Sequence, residues 1–121
     1  MGGGGHEVTL RRLTLRDDAY IDLLLADERL NEASSHLDAR AHALVQVAAL
    51  IAVDATPPAY MDAIDAARRE HVSDDEIVGC LIAVMAAVGV ARVVSAAPKL
   101  GLALGYDVDL ALELLDDQLE V

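Results

Sequence analysis

A corner in the middle of the chain carries side chains that can exchange protons. Residues 48–64 read AALIAVDATPPAYMDAI, so an apolar run ends at Asp54 and two prolines turn the chain before Tyr60. The phenols of Tyr60 and Tyr106 can donate a hydrogen bond to the carbonyl group of a ligand. A half-buried tyrosine that donates to a backbone carbonyl is the commoner arrangement, and both interpretations stay open.

His42 is a second candidate for proton transfer. It lies four residues after Asp38, and on a helix the carboxylate of Asp38 could therefore hold its imidazole ring. The alternative is a polar residue at the edge of a buried helix, which is the more common role of such a histidine.

Cys80 is the only cysteine, and it lies in the apolar run IVGCLIAVM, where a buried thiol is usually inert. An intrachain disulfide is therefore excluded. The sequence has no H-x-x-x-H or E-x-x-H spacing, so we predict no metal ion bound by a single chain and no cofactor. A site shared between subunits stays open.

The composition favours a single domain that associates with copies of itself. The chain has 121 residues, of which 55% are apolar, but it has no Phe or Trp and only three Tyr. Its core must consist of Ala, Val, Leu and Ile, whose small side chains bury little area each. We therefore predict a homo-oligomer in which further apolar surface is buried between subunits.

The charge excludes several classes of partner. A net charge of −12 repels nucleic acid and anionic membrane surfaces. The start MGGGGHEV has neither the basic nor the apolar part of a signal peptide, and the longest uncharged apolar run, 77–91, is too short to span a bilayer. We expect a soluble, cytoplasmic protein.

Helical spacing recurs along the chain, and strand patterns are absent. We predict an all-α bundle of about six helices over residues 17–121, preceded by a flexible Gly-rich segment over residues 1–16. The helices begin at a cap at Asp17 or Asp18, at Asp38, at Pro57, at Ser73, after Gly89 and at Asp107.

Three local patterns support these boundaries. Ser73 and Glu76 form a capping box, and the two prolines suit the first turn of a helix. Tyr60, Ile64 and Ala67 share one helical face. The segment from Ala43 to Val53 has Gln46 as its only polar residue, which predicts a helix buried nearly all round.

The order of these features resembles the carboxymuconolactone decarboxylase and AhpD-like family. The segment LDARAHALVQVAALIAVD, a short corner and a helix precede the block VSDDEIVGCLIAVMAAVGVARVVSAAPKL, which has the pattern V-S/T-x-x-E-I-x-x-x-L, an apolar stretch and a glycine. The resemblance covers roughly 70 residues, from Leu37 to Tyr106. It implies an AhpD-like helical bundle that assembles into trimers or hexamers.

The family's catalytic positions do not carry over. AhpD-like members reduce peroxides with a C-x-x-C pair, a nearby His and an upstream Glu. The Glu position falls at Ala43, and the cysteines fall near Ala55 and Pro58. The His position falls at Asp62 or Ala63. Without a second thiolate, the thiol peroxidase mechanism is not expected.

The resemblance leaves one candidate pocket beside the corner. Asp62 lies at or next to the missing His, and a carboxyl group that faces an apolar pocket would have a raised pKa and could act as an acid or base. The alternative is an exposed aspartate beside Asp65. The implied catalytic candidates are Asp62, His42 and Tyr60, and the implied lining is Ala43, Gln46, Val47, Asp54 and Thr56.

Two classes of function follow from the sequence. The first is a lyase-like enzyme that acts by non-redox acid/base chemistry, such as decarboxylation, lactone opening or isomerisation, on a small, partly apolar metabolite. The second is a structural or ligand-binding oligomer without turnover. In both, we expect the chain itself as the main partner and no nucleic acid or membrane.

Overall fold

The structure is a computed structural model that describes residues 5–106, and this part of the chain contains helices and no strands. The all-α prediction is thus confirmed for these residues. The helices are α1 (Gly5–Thr14), α2 (Asp18–Ala26), α3 (Glu28–Ser35), α4 (Ala39–Ala52), α5 (Pro57–Arg69), α6 (Asp74–Ala83), α7 (Met85–Val88) and α8 (Val90–Leu104). The helix predicted from Asp107 lies outside the described residues.

The chain divides into two compact units, Met1–Asp38 and Ala39–Val121. In the first unit, α1, α2 and α3 bury no residue. Helix α1 lies within the segment predicted to be flexible. Its charges suit the helix dipole, because Glu7 lies in the first turn and Arg11 and Arg12 lie in the last.

Asp27 separates α2 from α3, where the sequence analysis expected one continuous helix. Its carboxylate accepts hydrogen bonds from the N–H groups of Arg29 and Leu30 at 3.0 and 3.1 Å. Its backbone is extended, so it ends one helix and caps the next. An aspartate competes in this way because its short side chain reaches its own neighbouring backbone.

The second unit contains the hydrophobic core. Helices α4, α5, α6 and α8 pack against one another. The largest side chains that are fully buried are Tyr60, Ile51, Ile64, Ile77, Leu100 and Val47. In the described residues the core is therefore built from aliphatic side chains, Cys80 and Tyr60, and it includes Ile51 and Tyr60 on either side of the corner between α4 and α5.

The prediction that the segment from Ala43 to Val53 is buried nearly all round is wrong for the isolated chain. Only Ala43, Val47 and Ile51 of α4 are buried, at a spacing of four residues. Val45 is 53% exposed. The pattern could not distinguish a helix covered by its own chain from one that leaves an apolar side free.

In the second half of the chain, helices begin and end at residues whose local interactions favour a boundary. Ser73 accepts from the N–H of Glu76 and the carboxylate of Glu76 accepts from the N–H of Ser73, as the capping box predicted. Gly89, with φ of 91°, separates α7 from α8. Pro98 lies inside α8 without ending it. Among residues 5–106, no helix is long and apolar enough to cross a membrane.

Candidate functional site

The corner after α4 is a tight turn held by backbone hydrogen bonds. Asp54 has a positive φ of 53°, a left-handed conformation that Asp and Asn tolerate better than most residues. The N–H of Ala55 donates to the carbonyl oxygen of Leu50 at 3.0 Å. Pro57 and Pro58 then form the first turn of α5. Thr56 occupies the position before the helix and makes no capping hydrogen bond with its side chain.

Tyr60 lies behind this turn, in the core. Its side chain has no exposed surface, and its O–H donates to the carbonyl oxygen of Leu50 at 3.1 Å. Burial raises the pKa of the Tyr60 phenol, and the negative charge of Asp54 raises it further. A buried phenol whose proton is already donated within the chain is poorly placed to serve a ligand.

Asp54 bonds to helix α8. Its carboxylate accepts from the Lys99 ammonium at 2.8 Å and from the Ser95 hydroxyl at 3.0 Å, and it lies 3.9 Å from the guanidinium of Arg92. These contacts, with the hydrogen bond from Lys99 foremost, lower the pKa of Asp54. The group is held as a carboxylate and ties the corner to α8.

The sequence alone did not lead us to predict this cluster. Arg92, Ser95 and Lys99 lie at intervals of three and four residues, which places them on one side of a helix. That spacing was a usable signal for a polar strip. Its partner Asp54 is 41 residues from Ser95, and only the fold brings the two together.

The three catalytic candidates differ in their exposure. Asp62 is exposed on α5, whereas Tyr60, two residues earlier, is buried. Positions two apart on a helix point in nearly opposite directions, because each residue turns the chain by about 100°. His42 is half-buried on α4.

The predicted lining residues also differ in exposure. Ala43 and Val47 are buried in the core, where they present almost no surface to a ligand. Gln46 and Asp54 are half-buried, and Thr56 is exposed. The pocket implied by the family resemblance therefore remains a prediction. A different part of the second unit contains an open groove.

An open groove of about 380 Å³ lies between α4 and α6. Its lining is apolar except at one end, where Glu76 lies. The residues around it are Leu44, Val45, Ala48, Glu76, Gly79, Cys80, Ala83 and Val84. We call this the α4–α6 groove.

The charged residue of the α4–α6 groove, Glu76, is held in an ion pair with Arg40. The guanidinium of Arg40 donates to the carboxylate of Glu76 and to the carbonyl oxygen of His71. The hydrogen bond from Arg40, followed by those from Ser73, lowers the pKa of Glu76. The carboxylate is thus ionised and already paired before any partner reaches the groove.

Cys80 lies in the wall of the groove and is nearly buried. Its sulfur is 3.6 Å from the carbonyl oxygen of Glu76 and 3.9 Å from that of Leu44. Burial raises the pKa of the thiol, and the charge of Glu76 adds to this. The thiolate needed for redox chemistry is therefore disfavoured. Within residues 5–106, no group of three His, Cys, Asp or Glu side chains could hold a metal ion.

Comparisons with known protein families, with curated proteins and with solved structures gave no match for this chain. The resemblance to the carboxymuconolactone decarboxylase family thus rests on the sequence pattern alone.

Proposed function

We propose that this chain is a non-catalytic, self-associating helical protein, built like a carboxymuconolactone decarboxylase-type subunit without its reactive groups. Its function in this proposal is assembly: the second unit supplies apolar surface that is completed by further copies. The oligomer predicted from composition and the trimers or hexamers implied by the resemblance agree with it.

The proposal is supported by the number of apolar side chains that the second unit leaves exposed, compared with the number that it buries. In its described part, fifteen buried residues form the core, and five of them are alanine or cysteine. Within residues 39–106, ten large apolar side chains stay exposed, namely Val45, Val53, Met61, Val78, Ile82, Met85, Val90, Val94, Leu102 and Tyr106. Contiguous exposed apolar surface marks an interaction surface more often than a free one, and Val90, Val94 and Leu102 lie along one side of α8.

The side chains suited to chemistry at the corner serve the fold. Tyr60 donates to Leu50, and Asp54 is held by Lys99 and Ser95. A general acid or base needs a proton that it can exchange with a substrate within hydrogen-bond distance. This arrangement supports assembly over the lyase-like alternative, in which Asp62, His42 and Tyr60 would have to act together.

A second candidate function is the binding of a small, largely apolar ligand without turnover. The volume of the α4–α6 groove, about 380 Å³, is within the usual range for ligand sites of about 300–1,000 Å³. The charged residue of its lining, Glu76, is already paired with Arg40, which suits a ligand without charge. The open shape of the groove favours a protein partner over a small molecule, because ligand sites bury most of the ligand surface.

Sedimentation velocity on the full chain, across a wide concentration range, tests the proposal. We expect a mass that is a multiple of 12.8 kDa and a thermal midpoint that rises with protein concentration. A single-chain mass at every concentration, with a midpoint independent of concentration, would overturn it.

A further inference from the structure

Helix α8 presents a continuous apolar row on its outer side. Val90, Val94 and Leu102 are 63%, 64% and 59% exposed, and Pro98 between them is exposed as well. These four residues follow one another at intervals of four, and we call them the α8 row. The opposite side of the helix, with Val93, Ala96, Leu100 and Leu104, is buried in the core.

The α4–α6 groove has the shape to receive such a row. Ala48, Gly79 and Ala83 are its smallest lining residues, with Leu44 and Val84 beside them. A Cβ atom built on Gly79 would meet no atom within 4 Å, so there is free space over the middle of α6. Side chains four residues apart form the ridges that pack into grooves between helices.

The charges allow two copies to meet at these surfaces. The chain has 21 acidic residues, but α8 has none, and its charged residues are Arg92 and Lys99. The single acidic residue of the groove, Glu76, is paired with Arg40. Two chains of net charge −12 repel each other over most of their surface. Contact between the α8 row and the groove brings no unpaired carboxylates together.

We propose that the α8 row of one copy packs into the α4–α6 groove of a second copy, in a head-to-tail interface. The inference rests on the proposed self-association and specifies its contact. Because the row and the groove are different surfaces, each copy can use both at once. Such an interface closes into a ring when the rotation allows it and otherwise extends as a filament.

Two matched variants test the contact. The groove variant is Gly79→Gln with Ala83→Gln, and the row variant is Val94→Gln with Leu102→Gln. All four changes are to the same uncharged residue, so the net charge is unaltered. Leu23→Gln, at an exposed apolar position of α2 in the first unit, is the control. Masses are measured by sedimentation velocity, and helicity by circular dichroism.

The decisive measurement mixes the two variants. Each alone should fall to the mass of one chain, because every contact needs an intact row and an intact groove. A mixture restores one complete contact, between the row of the groove variant and the groove of the row variant, and should give the mass of two chains. Leu23→Gln should keep the wild-type mass.

Several results would overturn the inference. If the wild-type protein has the mass of a single chain, both the proposed interface and the proposed function are wrong. A wild-type oligomer whose mass survives both variants removes the interface alone. Dissociated variants that do not pair when mixed exclude the head-to-tail contact. If a glutamine variant loses helicity, it is replaced by an alanine variant, either Gly79→Ala or Val94→Ala. Alanine favours helix formation, and each alanine variant should associate more weakly than the wild type.

Discussion

The phenol of Tyr60 and the carbonyl oxygen of Leu50 are joined by a hydrogen bond of 3.1 Å. The same carbonyl accepts the N–H of Ala55 at 3.0 Å. Leu50 lies in the last turn of α4, where carbonyl groups have no partner within the helix. The contact therefore completes the end of α4 and fixes the start of α5 against it.

Replacing Tyr60 with Phe should lower the free energy of unfolding by about 0.5–1.5 kcal/mol, the usual worth of one such hydrogen bond. The lower end of that range is expected, because Ala55 still donates to Leu50. Urea unfolding followed by circular dichroism gives the value. Tyr106→Phe, at an exposed position, should change nothing. Equal losses in the two variants would contradict a specific role for the Tyr60 hydroxyl.

Asp54→Asn should destabilise the protein at neutral pH and much less in acid. The pKa of Asp54 is lowered in the folded state, so its contribution is complete above the ordinary Asp pKa of about 3.9. It is lost as the pH falls through the lowered folded value. The gap in thermal midpoint between wild type and variant should therefore narrow as the pH falls below about 4.

The exposed Asp62 provides the matched control for charge. Asp62→Asn removes the same charge from the outer side of α5. We expect a gap from wild type that is smaller than that of Asp54→Asn at pH 7. Asparagine also tolerates the positive φ at position 54, so backbone strain does not confuse the comparison. A gap for Asp54→Asn that grows in acid would show that the carboxylate is not what holds α8.

Ser73→Ala should cost about 1 kcal/mol of stability, the usual loss when a capping serine is removed. The reason is that the Ser73 hydroxyl accepts from the N–H of Glu76 at 3.1 Å. Thr56 occupies the equivalent position of α5 without a side-chain bond, so Thr56→Ala should cost much less. Chemical denaturation of the pair measures the difference. Equal costs would indicate that the capping bond contributes nothing to stability.

The thiol of Cys80 should react slowly in the folded protein. Its pKa is raised by burial, so the reactive thiolate is scarce at neutral pH. We expect reaction with a chromogenic disulfide reagent to be slower in the native protein than in urea. Moving to alkaline pH should speed the native reaction. Equal native and unfolded rates would revive the hypothesis of an active thiol.

Local chemistry made part of the second unit predictable. The Ser73 capping box, the two prolines at the start of α5 and the break at Gly89 all lie where the residues indicated. Tyr60, Ile64 and Ala67 are all buried, as their shared face predicted. Each of these signals depends on residues within one or two helical turns.

The candidate site was harder to predict because its contacts are distant in sequence. Nothing local indicates that Asp54 bonds to Lys99, 45 residues later, instead of lining a pocket. The break between α2 and α3 at Asp27 was not predicted, because an aspartate within an apolar pattern has the appearance of an ordinary surface residue. Only the structure shows that its side chain bonds to the backbone. The exposed side of α4 was not predicted, because an apolar pattern does not distinguish a helix covered by its own chain from one whose apolar side is left free.

The absence of buried residues from α1, α2 and α3 affects how readily these helices unfold locally. These helices have eight to ten residues each, a length that is marginal for a helix in water. All fifteen buried apolar residues in the described part of the chain lie between Ala43 and Leu104. Amide hydrogens before Ala39 should therefore exchange with deuterium through local fluctuations. Those of α4, α5 and α8 should wait for global unfolding.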